Sequence, residues 1–332
     1  MMLWLAVGMA LAYALTNGFH NGANSNAALV VTRVARPGQA VLLTSVFCAL
    51  GPILVGSAVA NVVANLVHVD PKVTVAVLGA GLTGATSWNA ITWKFGIPSS
   101  AGHALIGGLV GAAVVQRGWQ AVYWGGLDGW KPVGVLGFLL ALTISPVLGF
   151  SVGFLTDRIL RATLARATRR VNRPIRGGEW ASSASLAFAN GANDAAKSRG
   201  VIAALLLAAG RTSTLSVPLW VKVFSGLALT LGTAVGGWAL VNTIGRRIYR
   251  IRPVDGLAAQ GTSTAVVVAS SLVGAPVSTT QVLASSVVGI GVSRRRLRHV
   301  NWRIVATILA TWVTTLPASA AIAAVALPLW RW

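Results

Sequence analysis

Acid is the scarcest thing in this chain. Of its 332 residues six are Asp or Glu, against 27 Lys and Arg, and charged residues together make up 10%, where an average soluble domain carries about 25%. So little charge excludes an ordinary solvated globule. Cysteine is nearly absent too: Cys48 stands alone in an apolar run, which excludes an intrachain disulfide and leaves the redox compartment unspecified. The four histidines, His20, His68, His103 and His299, are scattered. No His-x-x-x-His or His-Glu-x-x-His pair occurs, which argues against a membrane-embedded metal hydrolase; the expectation is a protein that is not an enzyme, with no metal centre and no cofactor. Aromatic residues are missing from the most basic stretch, "RILRATLARATRRVNRPIR" at 158–176, whereas sites for single-stranded nucleic acid interleave the two. Nucleic acid is therefore not an expected partner.

What remains is apolar, with hydrophobic residues at 55%. A helix rising about 1.5 Å per residue needs about 20 apolar residues to cross hydrocarbon. Such runs lie near 3–31, 40–60, 73–93, 133–156, 180–208, 215–241, 254–273 and 303–327, and two shorter ones, 98–116 and 276–292, suit short spans or re-entrant hairpins. The fold class expected is an all-α polytopic membrane protein. The opening "MMLWLAVGMALAYALT" lacks the basic n-region of a secretory signal, and cleavage there would leave a stub of a repeated segment, so it reads as a retained first span. With ten crossings and the N-terminus outside, Arg33, Arg36, Lys94 and the arginines of 158–176, 246–252 and 294–303 fall inside, against Lys72, Arg117, Lys131, Arg211 and Arg331 outside. This is the positive-inside pattern. The net charge of +21 then sets orientation and meets anionic lipid, in a plasma (cytoplasmic) membrane with both termini outside.

Two motifs occur twice. Setting "NGFHNGANSN" (17–26) over "NGANDAAKSR" (190–199) places Asn17 on Asn190, Gly18 on Gly191, Asn21 on Asp194, Ala23 on Ala196 and Ser25 on Ser198, an offset of 173. Setting "GIPSSAGHAL" (96–105) over "GAPVSTTQVL" (274–283) places Gly96 on Gly274, Pro98 on Pro276, Ser100 on Ser278 and Leu105 on Leu283, an offset of 178. Each half then holds five candidate segments. Five is odd, so the second half enters the membrane from the opposite side, and inverted-topology repeats are the construction of many secondary transporters. The divisions expected are 1–156 for the first repeat, 157–178 for a basic cytoplasmic linker and 179–332 for the second repeat.

The motifs suggest broken helices or hairpins. Asn-Gly steps lower helix stability, and backbone groups they free must be satisfied by protein or water inside a membrane. Pro98 and Pro276 each remove a donor just before a Ser/Thr cluster, where a half-helix would begin. Such an N-terminus suits an anion, and Ser99, Ser100, Ser278, Thr279 and Thr280 would add hydroxyl donors. The plain alternative is close helix packing, which small polar residues also mediate; recurrence of the motif in both halves favours a binding site. His103 and Gln281, at equivalent positions, are either ligand groups or interhelical hydrogen-bond partners. In "FANGANDAAKSRGVIAALLL" (188–207), Asn190, Asn193, Asp194, Lys197 and Arg199 interrupt an apolar run. Translocon scales put an ionised side chain at mid-bilayer at about 2.5–3.5 kcal/mol. Asp194 and Lys197 share a helix face and either neutralise one another or serve a function, and the cost favours function. Asp70, Asp128, Asp157, Glu179 and Asp255 fall in or beside loops, which leaves Asp194 as the one intramembrane carboxylate expected.

These stretches resemble the inorganic phosphate transporter (PiT) family, bacterial low-affinity type. "NGANDAAKSRGVIAALLL" is similar to its second signature, roughly Gly-x-Asn-Asp-Ala-x-Lys, and "GFHNGANSNAALVVTRVARPGQAV" to its first. "WNAITWKFGIPSSAGHALIGGLVGA", "GLAAQGTSTAVVVASSLVGAPVSTTQVLASSVVGIGV" and "VNWRIVATILATWVTTLPAS" extend the likeness over nearly the whole chain. The resemblance implies secondary transport of phosphate by proton or sodium symport, in bacteria often as a metal-phosphate complex, in a family some of whose members are homodimers. Carried over, it implies a substrate set of Asn24, Ser99, Ser100, Asn193, Lys197, Ser278, Thr279 and Thr280, and a cation-coupling set of Asn21, Asp194 and Asn190, with His20, His103 and Gln281 as further candidates. The first signature diverges, because Asn21 stands where the family has Asp. The first hairpin reads Ser99-Ser100-Ala101-Gly102 where the family shows four serines, and Gln281 replaces a His. The competing expectations are a sulfate or other oxyanion permease of the same fold, and a transport-inactive binding or regulatory homologue.

Overall fold

The computed structural model describes residues 1–55, 58–67, 69–129, 131–275, 277–294 and 300–331. His68, Pro276 and His299 lie outside the described residues. The first half contains α1 (Met2–Val31), α2 (Pro37–Leu54), α3 (Ala58–Ala64), α4 (Pro71–Lys94), α5 (Ala101–Arg117) and α6 (Gly134–Leu164). The second repeats the order as α7 (Asn172–Ala208), α8 (Leu219–Val235), α9 (Trp238–Asn242), α10 (Pro253–Leu272), α11 (Thr279–Ser293) and α12 (Trp302–Ala326). A two-stranded hairpin, β1 (Gly126–Asp128) and β2 (Lys131–Val133), lies between α5 and α6.

The halves are interlocked. Helix α1 packs on α8, and its counterpart α7 packs on α2; α5 packs on α12, and its counterpart α11 on α6. Exchange of partners is what a pseudo-two-fold axis between inverted repeats produces. Glycine makes it sterically feasible. A Cβ on Gly18 would lie 2.2 Å from the Leu229 carbonyl oxygen, and one on Gly191 would lie 2.2 Å from that of Cys48. From the other side, a Cβ on Gly232 would meet the Leu15 oxygen at 2.0 Å, and one on Gly51 the Phe188 oxygen at 2.4 Å. Such backbone-to-backbone contact is how membrane helices gain dispersion energy when lipid supplies no hydrophobic drive between them.

This use of glycine corrects an expectation. Both Asn-Gly motifs lie inside unbroken helices, α1 of 30 residues and α7 of 37. The glycines there serve helix crossing rather than a break. Breaks fall elsewhere: α4 and α5 meet at Gly96 (φ +65°), α10 and α11 at Gly274 (φ +74°), and α8 bends by 64° into the segment 238–247. Gly96 and Gly274 adopt a left-handed backbone that other residues enter only at a cost, so they mark the true punctuation.

Four helical segments are long and apolar enough alone to cross a membrane among the described residues, starting at Met2, Pro37, Gly134 and Trp302, and the bent α8–α9 pair makes a fifth. Helix α7 is the longest and is missed by that criterion because of its polar middle. The helices α5 and α11 have 17 and 15 residues, about 26 and 23 Å long, short of a hydrocarbon core of about 30 Å. Their N-termini meet the middle of α1, where Ser99 reaches His20 and Thr280 reaches Asn24. Each short helix folds back on the helix before it, α5 on α4 and α11 on α10, as the second arm of a helical hairpin. Lys94 then ends the first helix of a hairpin rather than sitting in a loop between crossings.

The acids are corrected as well. Asp157, Glu179 and Asp255 lie inside α6, α7 and α10, and all are buried. Arg294 joins Asp157 at 3.2 Å and pairs with Asp255, while Arg161 pairs with Asp157 at 3.0 Å. Thr32 donates to Glu179 at 2.8 Å.

Candidate functional site

Helical spacing aligns two polar stripes. Asn17, His20, Asn21 and Asn24 on α1 follow an i, i+3, i+4, i+7 pattern and share one face; Asn190, Asn193, Asp194 and Lys197 on α7 repeat it. All eight are buried. Between the stripes enters the N-terminus of α11.

Thr279 is the hinge of the contacts. Its hydroxyl donates to Asp194 Oδ2 at 3.0 Å and lies 3.4 Å from Asn21 Oδ1. The other carboxylate oxygen of Asp194 pairs with Lys197, whose ammonium also donates to the Val277 carbonyl at 3.2 Å. Asn24 Nδ2 donates to Thr280 Oγ1 at 3.0 Å. Asn21, Asn24, Asp194, Lys197, Thr279 and Thr280 thus form one buried network across three elements from both halves. The hairpin tips touch through His103 and Gln281, with Nδ1 and Nε2 3.5 Å apart.

Other expected residues are placed around this network. Ser100 and Ser278 are N-caps, accepting from the backbone N–H groups of His103 at 3.3 Å and Gln281 at 3.4 Å, which satisfies one of the free donors of each short helix. Ser99 lies 2.8 Å from Thr92 Oγ1 and 3.4 Å from His20 Nε2, a cluster confined to the first half. Asn190 donates to Ser25 Oγ at 3.3 Å and Asn193 to Ser271 Oγ at 3.1 Å. Among the described residues neither side chain is hydrogen-bonded to the Thr279 network.

Several polar atoms here have no partner among the described residues: Nδ2 of Asn21, Oδ1 of Asn24, Asn190 and Asn193, and Oε1 of Gln281. Leaving a buried polar group unpaired costs about 1–3 kcal/mol, and native proteins retain such groups where something else fills the valence. Hydroxyls, an ammonium and an amide N–H can hold an oxyanion. Amide oxygens and a carboxylate can ligate a cation.

Three polar residues outside the expected set share this interior. Gln260 donates to the Ser25 carbonyl at 2.9 Å and accepts from Ser183 at 2.7 Å. Thr92 links His20 to Ser99. Arg199 is fully buried and donates to the Pro52 carbonyl at 2.9 Å; Pro52 lies in the last turn of α2, where free carbonyls favour a cation. A glutamine and an arginine inside apolar runs were the available signals.

Comparison with known proteins places the chain. A model of the phosphate transporter family matches residues 17–171 and 161–323. The chain belongs to that family. A probable low-affinity inorganic phosphate transporter of Rhizobium meliloti is 37% identical over 96% of this chain and 93% of its own length, and one of Bacillus subtilis is 35% identical over 97% and 95%. Among solved structures, one titled as the sodium-dependent phosphate transporter superposes with a TM-score of 0.87 at 22% identity, covering 99% of this chain and 98% of that one. At that identity the likeness is one of fold. This phosphate transporter family member is thus a multi-pass membrane protein with the family's architecture from end to end.

Proposed function

We propose that the chain is a secondary active carrier importing inorganic phosphate, alone or with a divalent metal, by cation symport. The observation that carries this reading is the Thr279 network: a hairpin tip whose hydroxyls join the sole charged pair of the two stripes and two amides of the opposite half. Phosphate would be held by Lys197, Thr279, Thr280 and the Asn21 and Asn24 amides, with the other hairpin contributing through Ser99, Ser100, His103 and Gln281. As a monohydrogen dianion it both accepts from the hydroxyls and ammonium and donates one hydrogen bond, and Asp194 is the natural acceptor. Sulfate lacks that proton.

Asp194 also supplies the coupling chemistry. It can carry a proton, or it can join the unpaired amide oxygens of Asn190 and Asn193 in ligating sodium. Either event weakens its hold on Lys197 and on Thr279, which ties the hairpin to α7. Cation and anion binding are linked through that one carboxylate. The relatives' names, low-affinity inorganic phosphate transporter, support the substrate. The membrane is taken to be the bacterial plasma membrane, with both termini outside and the 157–178 stretch inside, on the arginine distribution.

Uptake of radiolabelled phosphate into proteoliposomes under an imposed sodium or proton gradient is the test. Arsenate should compete and sulfate should compete weakly. Sulfate uptake that unlabelled phosphate fails to inhibit would move the assignment to a sulfate permease, and absence of uptake under every gradient would leave a binding protein. For orientation, a cysteine placed at Arg166 in a Cys48→Ala background should resist membrane-impermeant reagents in intact cells.

A further inference from the structure

A second basic feature lies away from the Thr279 network, where the end of α1 meets the approach to α10. Here Thr32, Arg33, Tyr249, Arg250 and Arg252 line a polar cavity of about 620 Å³, within the range of pockets that hold small ligands. It is on the face of the arginine-rich stretch 158–176, since Arg176, near the start of α7, donates to the Arg33 carbonyl at 3.4 Å.

The backbone aims these guanidiniums deliberately. Between the π-helical turn at 243–247 and α10, side chains alternate: Tyr249 and Ile251 are buried in the core, Arg250 and Arg252 are exposed. Alternation at period two puts both arginines on one side of an anchored segment. Arg33 comes from the opposite wall with φ of 59°, the only described residue other than glycine with positive φ. It closes α1 where a left-handed residue is needed and glycine is the usual choice. An arginine held there against its backbone preference indicates that its side chain is wanted.

No carboxylate is within ion-pairing distance of Arg33, Arg250 or Arg252 among the described residues. Of the acids nearby, Asp157 and Asp255 are paired with Arg294, and Glu179, behind Thr32, accepts from the Thr32 hydroxyl through Oε1 while its Oε2 is buried without a hydrogen-bond partner among the described residues. Three arginines line the cavity, and of these Arg33 and Arg250 have no carboxylate beside them among the described residues while Asp255 accepts from the Arg252 backbone N–H at 2.9 Å; guanidiniums in such a setting are suited to bidentate binding of a phosphate group.

We infer that this cavity is a second anion site, separate from the hairpin tips, that binds a phosphate group, either free phosphate or the headgroup of an anionic phospholipid. This goes beyond the proposed transport function and does not depend on it. The test uses the full chain in phosphatidylcholine nanodiscs carrying Asp194→Asn and Lys197→Met, so that the hairpin-tip site is disabled. One arm measures binding of radiolabelled inorganic phosphate; the other measures retention of added phosphatidylglycerol by native mass spectrometry. Losing two charge-assisted contacts in Arg250→Gln/Arg252→Gln should weaken one of the two ligands roughly tenfold or more. Arg33→Gly relieves the backbone while removing the guanidinium, so it should fold at least as well and still bind less. Arg166→Gln, an exposed arginine outside the cavity, should change neither. Phosphate loss names the free anion, and phosphatidylglycerol loss names the lipid. Unchanged binding of both ligands in both cavity variants, or an equal loss in Arg166→Gln, overturns the proposal.

Discussion

The stripe on α1 and the stripe on α7 have the same spacing, the same burial and the same kind of partner helix, yet one is neutral and the other carries a charge pair. Asn21 faces Thr279 with an amide where Asp194 faces it with a carboxylate, and Asn24 stands where α7 has Lys197. The hairpins differ in the same sense. The second hairpin's tip reaches both stripes, through Thr279 and Thr280, whereas Ser99 of the first stays with His20 and Thr92 of its own half. The two halves thus share one frame, and the ionisable pair sits in one of them. An ion pair is costly to bury, and the two stripes hold one between them.

The comparison is broken most severely at Asp194. Asp194→Asn puts an amide at this position in both stripes and strands a buried ammonium, a loss of about 3–5 kcal/mol when one partner of a buried pair is removed. Gradient-driven phosphate accumulation should vanish. Asp194→Asn/Lys197→Met should recover most of the folded yield and none of the accumulation, read by size-exclusion chromatography and proteoliposome uptake. If the single variant accumulates phosphate like its parent, the pair serves only structure.

Next comes the hydroxyl that joins the halves. Thr279→Val removes a hydrogen bond to a charged group, about 1.5–3 kcal/mol, so half-saturating phosphate should rise by an order of magnitude or more. Thr280→Val, which loses only the neutral contact with Asn24, should do less. Equal effects would mean that Asp194 is not the centre of the site.

The frame, by contrast, should respond symmetrically. Gly18→Ala and Gly191→Ala each drive a methyl into a facing backbone carbonyl, and overpacking of this kind costs about 1–3 kcal/mol. Thermal stability should fall by similar amounts in the two. A large difference would show that the crossings are not equivalent.

The smallest effect is expected from sharpening the comparison the other way. Asn21→Asp puts a second carboxylate within reach of Thr279 and should leave folding and maximal uptake near the parent's, while uptake should depend more steeply on the driving cation. An unchanged dependence would place Asn21 outside the coupling path.

Much of the site was legible because polar residues in apolar runs are conspicuous: Asp194, Lys197 and the Ser/Thr clusters needed no neighbours to attract notice. The position of the breaks was not, since an Asn-Gly step reads as a helix breaker until α8 and α2 are seen against it. The acids at the helix ends were hidden for a related reason. Hydropathy ends at the first charge, but α6 continues to Leu164 and α10 begins at Pro253, so Asp157 and Asp255 look like loop residues although Arg294 holds them inside. Arg199 was visible as a charge, but its role depends on the carbonyl of Pro52, 147 residues away.

The exchanged crossings also govern the order of assembly. Gly18 and Gly22 of α1 are covered by α8, which leaves the ribosome roughly 200 residues later, a delay of about 10–40 s at 5–20 residues per second. Until then that face of α1 lacks its partner helix and Asn21 and Asn24 lack the second hairpin, and buried polar groups left unpaired invite wrong partners. The first repeat is therefore a biosynthetic intermediate needing shelter at the insertion machinery, and a chain truncated after α6 should be cleared by membrane proteases rather than persist as a half-carrier.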